Sequence, residues 1–285
     1  MQLKTSLIIG GVGMVIGIGM ITGGVMNGAE PNFTWDNGPK IVKIHTLHKT
    51  FTNQNIKAIQ LNNSNNFVEI HRGTQWQVKM QSANANQSAQ VRDGRLIVKA
   101  PEEKLVLTPN AYDQAVTITV PRHVNLDKLD IVSDDGSVLV DGINVKTANI
   151  SSQNGGIRLQ NYVGEQVISD YNDGDAAFEN VQLNKLSITG GNGYINLKNV
   201  KLAQASDITT GQGNVFLNDL QAAGVDAKTT FGGITVDDDG SSLDDSYDTN
   251  GNNDSGVEHK QREYQTGDQN NALKIRSDSG DISHD

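Results

Sequence analysis

Six glycines, Gly136, Gly155, Gly174, Gly193, Gly213 and Gly232, follow one another at separations of 19, 19, 19, 20 and 19 residues. A period near twenty means one short supersecondary unit stacked on copies of itself, because no single unit of that size can bury its apolar face alone. The columns around each glycine give the internal plan. Five residues before it stand Ile131, Ile150, Ser169, Ile188, Ile208 and Ala227; two after it Val138, Ile157, Ala176, Ile195, Val215 and Ile234. Four after it come Val140, Leu159, Phe178, Leu197, Leu217 and Val236, and seven after it Ile143, Tyr162, Val181, Val200 and Leu220. Offsets of two and four have the period of a strand, so each unit predicts a strand, a glycine turn, a second strand and a further corner. The corner falls on Gly142, Asn161, Asn180, Asn199, Asp219 and Asp238, a column suited to a left-handed backbone and to side-chain hydrogen bonds between stacked units. Ser133, Ser152, Thr210 and Thr229 are read as exterior rows on the side faces.

The expected fold class is all-β: a β-hairpin region leading into a single-stranded β-solenoid of about seven coils, each about 19 residues long, preceded by one N-terminal transmembrane helix. The hairpin region spans residues 30–122. Its short alternating runs IKAIQL, FVEIH, QWQVKM, QVRDGRLIVKA and AVTITV are separated by turns such as HRGT and RDG, and Pro121 closes the last one. The solenoid occupies 123–240. Residues 241–271 are polar and acidic, too poor in apolar surface to offset their ordering entropy, and are expected to be a disordered insertion. Leu273, Ile275, Gly280 and Ile282 then resume the columns, giving a final partial coil over 272–285 whose edge must be capped or paired.

Residues 1–29 form the anchor. From Thr5 to Ala29 no residue is charged, and about 20 apolar residues in a helix cover ~30 Å, the thickness of the hydrocarbon core. Lys4 on one side and Glu30 and Asp36 on the other predict a single pass with the N-terminus cytoplasmic and the chain after about residue 30 outside the cell. Thr22, Gly23 and Gly24 offer only a poor small-x-small cleavage site, so the segment reads as retained rather than removed. The spacings Gly13 to Gly17 and Gly19 to Gly23 would permit close self-association of two such helices.

The chemistry of the chain is restricted by composition. A formal charge of −10 without a basic patch opposes nucleic-acid binding, and the absence of cysteine removes disulfides, thiolate zinc sites and cysteine nucleophiles. Asp170, Asp173 and Asp175 with Tyr171 form the nearest group to a paired-carboxylate site, but aspartate is also the ordinary residue of turns. No catalytic residue and no cofactor is assigned. His45, His48, His71, His123, His259 and His284 recur at no ligand spacing. The stretch from Ser246 to Glu258 imitates a calcium loop without its first and twelfth ligands, leaving Asp244, Asp245, Asp248 and Asp254 as a candidate for millimolar calcium.

The apolar N-terminal segment, the WDNG segment, the run ITVPRHVNLDKLDI and the LDIVSDDGSVLV-type coils together resemble a bacterial family of domains of unknown function, membrane-anchored proteins described as putative adhesins. The resemblance covers residues 33–240 and 272–282. It implies an extracytoplasmic β-solenoid, often Gram-positive and at times encoded beside envelope-stress regulators, and it brings no catalytic residues with it. The expected role is an adhesin-like or structural scaffold of the cell envelope whose partner is a cell-wall or host-surface component. An accessory part of an envelope-stress sensor is the alternative, and a carbohydrate-active enzyme a third reading.

Overall fold

The computed structural model describes residues 44–82, 84–101 and 115–237, and in addition the strands Phe33–Trp35, Pro39–Ile41, Val106–Leu107, Arg262–Thr266, Leu273–Ser279 and Ile282–His284. The apolar segment Thr5–Ala29 and the calcium candidates Asp244, Asp245, Asp248 and Asp254 lie outside the described residues. Among the described residues no helix is long and apolar enough to cross a membrane.

Two sheets of 11 strands face one another and are parallel through most of their length. One carries the strands that precede each glycine, such as Lys185–Asn192; the other carries those that follow it, such as Ile195–Leu202. Neighbouring coils pair column to column: Ile188 meets Ile208, and Leu197 meets Leu217. About six turns of the repeat stack in this way. The columns predicted five before and two, four and seven after each glycine are buried in every coil, and they form one continuous core.

Parity explains the corner. Ile195 and Leu197 point inward and so does Val200, which an unbroken strand would turn outward; two outward residues, Lys198 and Asn199, stand in succession between them. A residue in the left-handed region makes that phase slip, and Asn161, Asn180, Asn199 and Asp219 have φ of 50°, 56°, 51° and 51°. The exposed amides are also linked from coil to coil: Asn161 Nδ2 donates to Asp141 at 2.8 Å, Asn180 to Asn161 at 3.3 Å and Asn199 to Asn180 at 2.7 Å.

The glycine column answers to a different constraint. A Cβ on Gly193 would stand 2.0 Å from the carbonyl oxygen of Gly174, and one on Gly213 1.9 Å from that of Gly193. The backbones of successive turns touch there, so no side chain fits between them.

The same parity overturns the exterior reading of Ser133, Ser152, Thr210 and Thr229. Three before the glycine is in phase with five before it, so that column points inward, and all four residues are buried. Ser133 Oγ donates to Gly136 O at 2.7 Å, and Thr229 Oγ1 to Gly213 O at 3.0 Å. The Ser152 hydroxyl is buried without a partner. In this column Tyr171 pairs with Gly190, and Gly190 with Thr210. The tyrosine fills the space that its neighbour's missing side chain leaves, since a Cβ on Gly190 would be 2.3 Å from the Tyr171 hydroxyl oxygen.

The region before residue 122 is not the stack of hairpins that its turns suggest. Asp93 and Gly94, with φ of 48° and 71°, do close a hairpin between Ser88–Arg92 and Arg95–Ala100. The HRGT turn does not: Ala115–Pro121 lies between the two strands that this turn connects, parallel to Phe67–Gly73 and antiparallel to Trp76–Ser82. Ala58–Asn63 and Phe67–Gly73 are themselves a coil, with Leu61 against Ile131 and Val68 against Val138. Asn66 takes the glycine's place, and the buried Asn63 and Asn66 brace that turn, Asn63 Nδ2 donating to Asn66 O at 2.7 Å. A further coil, Arg95–Ala100 with Ala115–Pro121, stacks on its other side. The chain therefore builds an interior coil first, adds one beyond it, and crosses back past it to begin the regular repeats.

At the opposite end Leu273–Ser279 and Ile282–His284 extend the two sheets in parallel, with Ile275 on Ala227 and Ile282 on Ile234, the register expected from Gly280. Of the span 241–271, expected to be a disordered insertion, residues 241–261 and 267–271 lie outside the described residues. Arg262–Thr266 is a strand that pairs antiparallel with Leu273–Ser279 and covers the edge of that sheet.

Candidate binding surfaces

The crossing of the chain at its N-terminal end leaves a cleft of about 460 Å³. It opens between the loop 52–57, the turn 74–75 and the crossover 121–124, with Phe51 and Trp76, paired across adjacent strands, on its lining. Trp76 is buried and Phe51 half-buried. The walls are fixed by backbone bonds: Lys57 N donates to Gly94 O at 2.8 Å, Lys57 O accepts from Asp127 N at 2.7 Å, and Arg122 N donates to Gly73 O at 3.0 Å. Asn53, with φ of 56°, turns the loop.

Arg72 holds the crossover in place. Its guanidinium donates through Nε to Gly142 O at 2.7 Å and through Nη1 to Pro121 O at 3.1 Å, and also to Val124 O. One side chain thus joins the interior coil to the coils on both sides. Burial lowers its pKa from the ordinary value.

Of the residues weighed for catalysis, Asp173 and Asp175 are occupied with stacking. Asp173 accepts from Asn192 Nδ2 at 2.6 Å, and Asp175 from the Tyr194 backbone N–H at 2.9 Å. Burial raises the Tyr171 pKa to about 12; the Thr210 hydroxyl opposes that rise and the charge of Asp175 adds to it. Burial raises Tyr162 as well. His48 meets Gln77, His71 lies between Glu69 and Thr119, and His123 lines the cleft. Among the described residues no group of three or more His, Asp or Glu side chains could hold a metal ion. The side faces outside the core carry ion pairs between coils, Lys146 to Glu165 at 3.7 Å and Lys198 to Glu179 at 3.4 Å, which at this exposure contribute little stability.

A parallel β-solenoid with stacked glycine and asparagine columns and a chain crossover at one end is the class that this geometry defines. The chain belongs to the Toastrack DUF4097 family, which it matches over residues 56–285. Among solved structures it is similar to a putative adhesin from Bacteroides fragilis NCTC 9343, with a TM-score of 0.52 at 15% identity over 85% of this chain and 97% of that one. A putative cell adhesion protein from Clostridium sporogenes ATCC 15579 gives a TM-score of 0.43 at 13% identity, over 85% and 99%. At such identity the first likeness is one of fold. Comparison with curated proteins gives no match.

The cleft was missed at the level of sequence because its residues come from three separate segments brought together by the crossover. The only local sign was Pro121, which stops a strand without saying where the chain goes next.

Proposed function

We propose that this chain is an adhesin-like scaffold of the bacterial cell envelope, anchored by Thr5–Ala29 and carrying its solenoid outside the cell without enzymatic activity. The observation that carries the reading is the use made of the polar side chains. The asparagine and aspartate columns join coil to coil, and among the described residues two long sheet faces and a cleft are left for contact with other molecules. Such a body presents surface rather than a reaction centre. The family and the fold it shares with a protein described as a putative adhesin support the same role.

Under this reading the coil nearest the bilayer is the outermost one, Arg95–Pro121. Phe33–Trp35, only a few residues beyond Ala29, pairs with Val106–Leu107, and four residues reach at most ~14 Å. Protease added to intact cells should remove the solenoid and leave the N-terminal segment with the membrane; full protection of the solenoid refutes the topology. The full chain in lipid nanodiscs should then bind envelope or matrix material saturably, with calcium present in one arm and chelated in another. Binding to foreign glycans or matrix proteins marks an adhesin, and binding to the cell's own wall or lipid marks envelope maintenance or stress sensing. Binding to none of these refutes the adhesin-like role.

A further inference from the structure

We infer that the cleft at the crossover binds the acidic sugar that ends a glycan chain, with Lys57 as its carboxylate partner. The inference rests on the binding reading above and supplies the class of ligand. Four features of the cleft lead to it. Its volume of about 460 Å³ falls within the ~300–1,000 Å³ of sites that enclose small ligands. Its lining contains no carboxylate, although the chain has 33 of them, and its only titratable groups are Lys57 and His123. The Lys57 side chain enters no ion pair or hydrogen bond among the described residues, unlike Lys128, Lys146, Lys185 and Lys198, each of which sits against an acidic side chain. Phe51 supplies aromatic surface, with Trp76 buried beside it, while Asn53, Asn55 and Gln75 supply amides that both donate and accept.

That combination selects among ligands. A bare metal cation finds no carboxylate there. A simple inorganic anion would use the lysine and leave the aromatic ring and the amides idle. A pyranose with a carboxylate uses all three: a C–H face on the Phe51 ring, hydroxyls on the amides, and the acid on the ammonium. The formal charge of −10 opposes a long polyanion, which leaves a single acidic residue at a chain end. The site is also built in advance, since Lys57 is held through its backbone to Gly94 and Asp127, and the facing crossover by Arg72.

The test is a titration of the full chain in detergent micelles, carrying Trp35→Phe so that Trp76 is the only tryptophan, with glucuronic acid, glucose and acetate as separate probes. Glucuronic acid should change Trp76 emission saturably and bind at least tenfold more tightly than glucose, with no saturable effect of acetate. Lys57→Gln should bring glucuronic acid down to the level of glucose, and Lys57→Arg should keep the preference. No saturable response to glucuronic acid, an equal response in Lys57→Gln, or an equal response to acetate each overturns the proposal. If Lys57→Gln binds envelope or matrix material as well as the unaltered chain does, the cleft is not the contact and the scaffold reading stands without it.

Discussion

At Gly193 two demands fall on one residue: φ is 123°, a region that L side chains rarely adopt, and the carbonyl of Gly174 stands where a Cβ would go. Gly193→Ala should therefore cost at least the ~1–3 kcal/mol of a strained backbone position, read as a lower midpoint in urea. Gly190 fails for another reason, since its φ is ordinary and the obstacle is the Tyr171 ring. Gly190→Ala should destabilise in the presence of Tyr171 and much less in a Tyr171→Ser background, a coupling that a double-mutant cycle measures directly. Tyr171 also gives the fold an alkaline limit. Burial raises its pKa from 10.0 to about 12, so the folded chain keeps a proton that the unfolded chain has lost. Its share of stability is complete below the unfolded value of 10.0 and is lost as pH rises through about 12. Unfolding midpoints should fall over that window, with Tyr162 adding to the fall, and Tyr171→Phe should flatten the Tyr171 share.

At the scale of the element, the crossover depends on one guanidinium. Arg72→Ala removes three hydrogen bonds from a charged donor and should cost about 2 kcal/mol or more, with faster hydrogen exchange at the Val124 amide, which is bonded to Pro121 O. Arg72→Lys should recover little, because an ammonium lacks the planar fork that reaches carbonyls on both sides. The regular coils were legible from sequence because glycine and asparagine are demanded by backbone geometry, and such demands leave a column. Even Gly280 could be placed across the insertion, and Ile282 does meet Ile234. The coil Ala58–Gly73 was not legible because Asn66 hides the glycine position and its neighbours in space come from later in the chain. The misplaced hydroxyl rows had a different cause. Their side-chain chemistry suggested solvent while their phase pointed inward, and in a strand the phase decides which face a residue takes. Of the cleft only Pro121 gives a local sign in the sequence, since no single segment contains enough of it.

For the whole molecule, the interior coil ties the regular repeats to everything before them. A fragment beginning at residue 123 would have the full glycine array, yet it would expose Ile131, Val138 and Val140 where Leu61, Val68 and Ile70 normally cover them. It should be recovered as aggregate, whereas a chain beginning at residue 44 should be a folded monomer; size-exclusion chromatography with circular dichroism distinguishes the two. The crossover has one further consequence if the proposed anchor Thr5–Ala29 holds the protein at one end and load acts at the other. Strands lie across the axis of the stack, so tension along it opens one ladder at a time, and the regular coils give way singly from the far end. The interior coil lies between two neighbours that both come later in the chain, and it cannot be freed without parting its contacts on both sides. Under load the protein should lengthen in steps of one repeat and keep its hold at the base, like a line paid out from a cleat.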